Sequence, residues 1–308
     1  MSLRGRSFVN ITDLSRRELS EVLSLAAELK RRTKAGIRDE PLAGKTLGLI
    51  FQKPSLRTRA SFEVAMAQLG GRSVYLSPAE VGMGEREAVD DVALVVSRYF
   101  DVIAARTFGH EIVEELAKSA TVPVINALSA GEHPCQAVAD LLTAQEWLGD
   151  LRGKKITYIG DGNNVAVSLG LACAMVGANF GIATPEGYDL PEECVRRFKE
   201  IAAETGALLH QARDPREVAV GTHAFYTDVW TSMGQEAETA ARRKAFTGFC
   251  IDEALCALGD DAIVLHCLPA HYGEEITRDV TRGPRSAIWD QAENRLHAQK
   301  ALLALLTP

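Results

Sequence analysis

The side chains from which chemistry can be built fall in a few short stretches. Ser55-Leu56-Arg57-Thr58-Arg59 offers two hydroxyls and two guanidinium groups at the start of a helical pattern. The first turn of a helix has unpaired N–H groups and a partial positive charge, and with bidentate cations these are what a phosphate requires. An Arg-x-Arg pair alone fits a basic surface helix start equally well; the hydroxyls at 55 and 58 turn the reading toward an anion. Arg106 closes the apolar run Val102-Ile103-Ala104-Ala105. It is either an exposed strand-end cation or a ligand group at the carboxyl end of a strand, where open α/β sheets bind. His133 and Gln136 are three apart around Pro134 and share a helix face, so they can point at a bound carbonyl, unless His133 only caps the helix. Asp228 ends the run Ala224 to Thr227 and can hold an ammonium group or cap the next turn. Cys267 ends the run Ala262 to His266, where a plain buried thiol is the commoner finding. Arg295, early in the last helical pattern, reads by position as a solvated charge.

Most of these groups sit at strand-to-helix junctions. Thr46 to Phe51 is apolar and β-favouring, and Pro54 fixes the entry to the turn that follows. Beyond it Phe62, Ala65, Met66 and Leu69 recur at helical spacing until Gly70-Gly71, and Ser55 or Thr58 can cap that helix. Next come a strand over 72–76, a loop over 77–85 containing Gly82 and Gly84, and a helix over 86–100. A strand over 102–105, a helix over 110–119, a strand over 122–127 and a helix reaching Leu148 follow. Ahead of all of them, Ser15-Arg16-Arg17-Glu18 fits a capping box opening an amphipathic packing helix. Leu148 to Gly153 reads as a domain boundary. Beyond it lie strands over 155–159, 180–184, 224–227 and 262–265 and helices reaching Val176 and covering 191–205 and 290–306. This alternation predicts an α/β chain of two doubly wound domains with parallel central sheets. Gly160-Asp161-Gly162-Asn163-Asn164 is like a dinucleotide-binding turn. It lacks the third glycine, and no acidic residue ends the next strand, so it argues for a doubly wound domain more than for a nucleotide.

At 308 residues the chain is long enough for two cores, and 46% apolar with 24% charged residues is a globular composition. A formal net charge of −7 argues against a general nucleic-acid binder. Six cysteines without a CxxC pair point to reduced thiols rather than a disulfide framework or zinc site. No apolar run reaches membrane-span length and Met1 to Arg6 leads into no signal-type core, so a cytoplasmic location without a membrane partner is expected.

Taken together, Ser55-Leu56-Arg57-Thr58-Arg59, His133-Pro134-Cys135-Gln136, Asp228 with Ser232-Met233-Gly234, and His266-Cys267-Leu268-Pro269 resemble the motifs of the aspartate/ornithine carbamoyltransferase superfamily. They stand in family order across essentially the whole chain, and the last two resemble its ornithine branch. The resemblance implies a carbamoyl phosphate-binding domain over 1–148, an ornithine-binding domain over 149–289, a last helix over 290–308 packing back on the first, and an active site in the interdomain cleft. It implies transfer of the carbamoyl group of carbamoyl phosphate to the side-chain amine of L-ornithine, giving L-citrulline and phosphate within arginine metabolism. No metal or organic cofactor is implied, and a homotrimer or a multiple of trimers is. Carried over by position, Ser55, Leu56, Arg57, Thr58 and Arg106 would hold the phosphate, and His133 and Gln136 the carbamoyl end. Cys267 and Leu268 would meet the carbamoyl amide, and Arg295 would complete this site. Asn164, Asp228, Ser232 and Met233 would bind ornithine. Arg106, His133, Asp228 and Cys267 would carry the catalysis. Two positions depart from the pattern: Gly82 stands where the family often has a glutamine, and Leu56 replaces a small hydroxyl residue. Rival readings are a carbamoyltransferase acting on putrescine or an acylated ornithine, a nucleotide-dependent oxidoreductase, and a silent carbamoyl phosphate-binding protein.

Overall fold

The computed structural model describes residues 3–84, 86–232 and 234–308. The chain divides into two compact units, Met1–Leu142 with Glu293–Pro308, and Thr143–Ala292. Each is built on a parallel sheet.

In the first unit β1 (Thr46–Phe51), β2 (Arg72–Leu76), β3 (Val102–Arg106) and β4 (Val124–Leu128) lie in the order β2-β1-β3-β4. All six residues of β1 and all five of β3 are buried, as expected of central strands covered on both faces. The edge strand β2 stays half exposed. Ile50, Ile103, Ala105, Val113, Leu116 and Val124 form the heart of one core cluster. The chain steps from β1 outward to β2, then returns across β1 to β3. The sheet's switch point therefore lies between β1 and β3, whose last residues, Phe51 and Arg106, are paired in register. A switch point leaves a crevice at the carboxyl ends of the two strands, and that is where such sheets bind ligands.

In the second unit β5 (Lys155–Ile159), β6 (Asn179–Ala183), β7 (Leu209–Ala212), β8 (Ala224–Thr227) and β9 (Ile263–His266) lie in the order β7-β6-β5-β8-β9. Here the switch point falls between β5 and β8. Phe225, Trp230, Phe246, Phe249, Ile251 and Val264 pack together in its core.

Several elements differ from expectation. The 77–85 stretch, expected as a loop, contains a single helical turn, Pro78–Val81. The Glu80 carboxylate accepts the Ser77 N–H at 2.7 Å, and Gly82 stops the turn in the left-handed region at φ 53°. The Arg86 and Glu87 N–H groups turn back to the Gly82 carbonyl, and the next helix spans only Val89–Val96 rather than 86–100. Strand β7 and the short helices Pro215–Ala219 and Glu253–Cys256 were not anticipated. The two helices are held by Asp214 and Asp252, whose carboxylates accept N–H groups of Arg216 and Leu255. Gly162 has a local reason: a Cβ there would collide with the backbone of Asp189 and Leu190. The close approach this glycine permits is by the chain itself, and the nucleotide reading loses its main support.

The helix Ile288–Leu306 places His297 at 1% exposure, and burial holds its imidazole down at about 4 from 6.5. The unfolded chain then binds this proton at a higher pH than the folded one. Stability should fall as pH drops from 6.5 to 4, by about 1.4 kcal/mol per pH unit for each such proton. Urea unfolding of His297→Gln at pH 7, 6 and 5 should show a shallower pH slope than the parent chain.

Candidate active site

In the first unit the groups gather around the β1/β3 switch point. Ser55 is the N-cap of the helix Leu56–Gln68; its hydroxyl accepts the Thr58 N–H at 3.4 Å. The N–H groups of Leu56 and Arg57 lie in the first turn, outside the helical ladder and beside its positive end. The Leu56 side chain is 80% exposed, so at this position only backbone faces the turn's interior. Thr58 is buried, and its hydroxyl accepts from Arg295 Nη2 at 2.6 Å. Arg295 Nη1 donates to Gln136 Oε1 at 3.0 Å, and Gln136 Nε2 donates to Asp140 Oδ1 at 2.7 Å. Arg295 is thus a buried guanidinium joining three helices, and its reading as a solvated charge is overturned.

His133 starts the helix Pro134–Leu148 through its backbone, whose carbonyl accepts the Gln136 and Ala137 N–H groups. His133 is 4% exposed; burial first, then the charges of Arg295, Arg106 and Lys53, hold its imidazole well below 6.5. It is neutral at neutral pH and offers one N–H donor within a field of cations. Arg106, the last residue of β3, is 6% exposed. Lys53 was missed by the sequence reading. Burial, then Arg106, bring its ammonium down to about 8, and it stands 5.1 Å from the centre of the Phe108 ring. Its signal was a cation two residues before Ser55 in the loop leaving β1. Gly82, in the expected glutamine position, presents no side chain, and Glu85 lies outside the described residues.

In the second unit the groups gather at the β5/β8 switch point and the neighbouring end of β9. Asp228 follows β8 and is 8% exposed. Its Oδ1 accepts the Val229 N–H at 2.8 Å and the Cys267 thiol at 3.0 Å; its Oδ2 accepts from Asn163 Nδ2 at 3.2 Å. Asp228 therefore does more than receive the N–H of its own turn, and Cys267 is more than a thiol in an apolar wall. Asn164 opens the helix Asn164–Val176 and is partly buried, as are Ser232 and Leu268. Met233 lies outside the described residues.

Two further side chains, Arg242 and His266, hold this frame. Arg242 Nη1 donates to Asp161 Oδ2 at 2.6 Å and to the Trp230 carbonyl at 3.0 Å, which ties the turn after β5 to the loop after β8. The Leu268 N–H donates to His266 Nδ1 at 2.8 Å, so His266 Nε2 carries the proton facing Glu275 Oε1 at 3.1 Å. That bond stabilises Leu268 in the left-handed region, φ 62°. Asp228, His266 and Cys267 offer ligand atoms within 4.8 Å of one another. Both His266 nitrogens are engaged, however, so the cluster is built as a hydrogen-bonded frame rather than a ligand set.

Chemically, one unit gathers cations and a neutral imidazole, groups that suit an anion, and the other presents a carboxylate, which suits a cation. Among the described residues no helix is long and apolar enough to cross a membrane.

Comparison with known proteins supplies the frame for this chemistry. Residues 6–146 match the family model of the aspartate/ornithine carbamoyltransferase carbamoyl-P binding domain, and residues 152–306 that of the Asp/Orn binding domain. An ornithine carbamoyltransferase of Gloeobacter violaceus is 55% identical over 300 residues, 97% of this chain and 94% of that relative. One of Symbiobacterium thermophilum is 52% identical over 99% of both chains. The solved ornithine carbamoyltransferase of Pyrococcus furiosus superposes with a TM-score of 0.97 at 49% identity, covering 100% of this chain and 98% of that one.

Proposed function

The chain belongs to the aspartate/ornithine carbamoyltransferase family, and on that premise we propose that it transfers the carbamoyl group of carbamoyl phosphate to the side-chain amine of L-ornithine, releasing L-citrulline and phosphate. The observation that carries this reading is the division of charge. The charges of Arg295, Arg106 and Lys53 act on a neutral His133 in the first unit, whose residues 6–146 match the carbamoyl-P domain. Asp228, bonded to Cys267, stands in the unit matching the acceptor domain. A carboxylate at the acceptor's place suits an amino acid with a second ammonium group and disfavours a dicarboxylate such as aspartate.

In the proposed reaction the phosphate lies at the first turn of the Leu56–Gln68 helix, against the N–H groups of Leu56 and Arg57, the Ser55 and Thr58 region and the Arg57 and Arg106 guanidinium groups. His133 donates to the carbamoyl oxygen, and the Gln136–Arg295 pair fixes the carbamoyl end. The backbone carbonyls of Cys267 and Leu268 accept from the carbamoyl amide. Ornithine is held by Asn164, Asp228, Ser232 and Met233. Its side-chain ammonium, with an ordinary pKa of about 10, loses a proton with the help of Asp228 and Cys267. The amine nitrogen then attacks the carbamoyl carbon, and the oxyanion that forms is met by Arg106, His133 and Thr58. The carbon–oxygen bond to phosphate breaks, its electron pair leaves with the phosphate, and a second proton passes from the nitrogen to that phosphate. No group in this sequence requires a metal or organic cofactor; catalysis is positioning and electrostatics. A cytoplasmic homotrimer, or a multiple of it, is part of the same proposal. The exposed apolar side chains Leu56, Val64, Val74, Leu94 and Tyr99 of the first unit are ones an interface between copies would cover.

The test is product formation from carbamoyl phosphate with L-ornithine, putrescine, N-acetyl-L-ornithine or L-aspartate. Selective citrulline formation is expected. Turnover of another acceptor would overturn the ornithine half, and no turnover at all would overturn the enzyme reading.

Lys53 gives a pH signature. Its charge is present below about 8 and lost above it, so kcat/KM for carbamoyl phosphate should fall as pH rises through that value, because this ratio reports groups of the free enzyme. Lys53→Met should lower the ratio about tenfold at pH 7 and remove that limb of the profile.

A further inference from the structure

On the reading of Asp228 as the acceptor's carboxylate, we propose that Asn163, itself held by Tyr158, is a positioning residue that orients Asp228 toward the acceptor's ammonium group. Asn163 is the N-cap of the Asn164–Val176 helix. Its Oδ1 accepts three donors: the Val165 N–H at 3.0 Å, the Ala166 N–H at 3.1 Å and the Tyr158 hydroxyl at 3.3 Å. Three donors converging on one atom require that atom to be the oxygen, because a flipped amide would set N–H against N–H. The amide's NH2 must then face Asp228, where it donates to Oδ2 at 3.2 Å. With Val229 and Cys267 donating to Oδ1, the carboxylate is held from the turn after β5, the chain after β8 and the end of β9.

Tyr158 suits this task. It is fully buried in β5 and stacks on Tyr226, 5.6 Å between centroids and 20° between planes. Burial, and the nearby charges of Asp228, Cys267 and Asp161, push its hydroxyl well above the usual tyrosine value, so it remains a donor throughout the working pH range.

A residue that only capped the helix would need an oxygen and nothing more, so serine or aspartate would replace it at little cost. Orienting Asp228 needs the amide's other half. Asn163→Ser keeps a capping oxygen and loses the donor to Asp228. Asn163→Asp keeps the cap and sets a second carboxylate against Asp228. Tyr158→Phe leaves the amide but removes the hydroxyl that anchors it.

The experiment measures KM for ornithine at saturating carbamoyl phosphate, KM for carbamoyl phosphate at saturating ornithine, and Tm, for the parent chain and all three variants. The expected result is an ornithine KM raised about tenfold in Asn163→Ser, about a hundredfold in Asn163→Asp and about threefold in Tyr158→Phe. KM for carbamoyl phosphate should stay within about twofold. An ornithine KM within about twofold of the parent in both Asn163 variants would overturn the proposal and leave Asn163 a cap. If those variants do not fold, an unchanged ornithine KM in Tyr158→Phe overturns it equally. A parent chain that makes no citrulline defeats the acceptor reading itself, an outcome distinct from active variants with unaltered KM.

Discussion

Arg106→Gln is expected to lower kcat/KM for carbamoyl phosphate about a thousandfold, the scale of losing a preorganised donor at a developing charge. Arg106 ends β3 directly beside the end of β1, buried to 6% exposure, in a sheet whose switch point opens there. Two charges develop in the reaction, on the carbamoyl oxygen and on the departing phosphate, and a guanidinium can face both with parallel N–H groups. Arg106→Lys keeps a charge without the planar fork and should fall between the parent and the glutamine variant. A second signature separates this role from a folding defect. Arg106 is one of the charges holding down both His133 and Lys53. Removing it should raise both values, so the alkaline limb assigned to Lys53 should move to higher pH in Arg106→Gln. A loss smaller than about tenfold, with that limb unmoved, would remove Arg106 from the proposed chemistry.

These residues differ in how far sequence alone could place them. Thr46 to Phe51 and Val102 to Arg106 were legible because central parallel strands are continuous apolar runs, and the residues ending them fall at the sheet's carboxyl edge whatever the loops do. Strand β7 was not legible, because an edge strand with the half-exposed sequence Leu209-His210-Gln211-Ala212 has no such pattern. Arg295 could be recognised by resemblance but not by physics. Its partner Thr58 is 237 residues away, and nothing in the periodicity of the last helix marks position 295 as buried. Lys53 escaped for a related reason: its lowered value comes from burial and from Arg106, a neighbour only once β1 and β3 pair. The turn Gly160 to Asn164 pointed to a doubly wound domain more than to a nucleotide, but the reason for Gly162 was not legible, because the backbone of Asp189 and Leu190 that approaches it is brought there only by the fold.

Asp228→Asn should produce the second large effect, a fall in kcat/KM for ornithine of about a hundredfold to a thousandfold with carbamoyl phosphate binding unchanged. Asparagine has the shape of aspartate and its oxygen can keep the Val229 and Cys267 contacts, but its NH2 then faces the Asn163 NH2 and no charge remains for an ammonium group. Cys267→Ser should cost less, about tenfold, because a hydroxyl can still donate to Asp228 but does not give up its proton as a thiol can, and so cannot go on to serve as a base. The two residues are hydrogen-bonded at 3.0 Å, so their effects should not add. If the thiol acts through Asp228, Cys267→Ser in the Asp228→Asn background should cost little further, leaving a coupling of about 1 to 2 kcal/mol in the double-mutant cycle. Full additivity would mean that thiol and carboxylate act independently. Full activity with an unchanged pH profile in Cys267→Ser would remove the thiol from the chemistry and leave the carboxylate, in the orientation set by Asn163, as the group that handles the acceptor's amine.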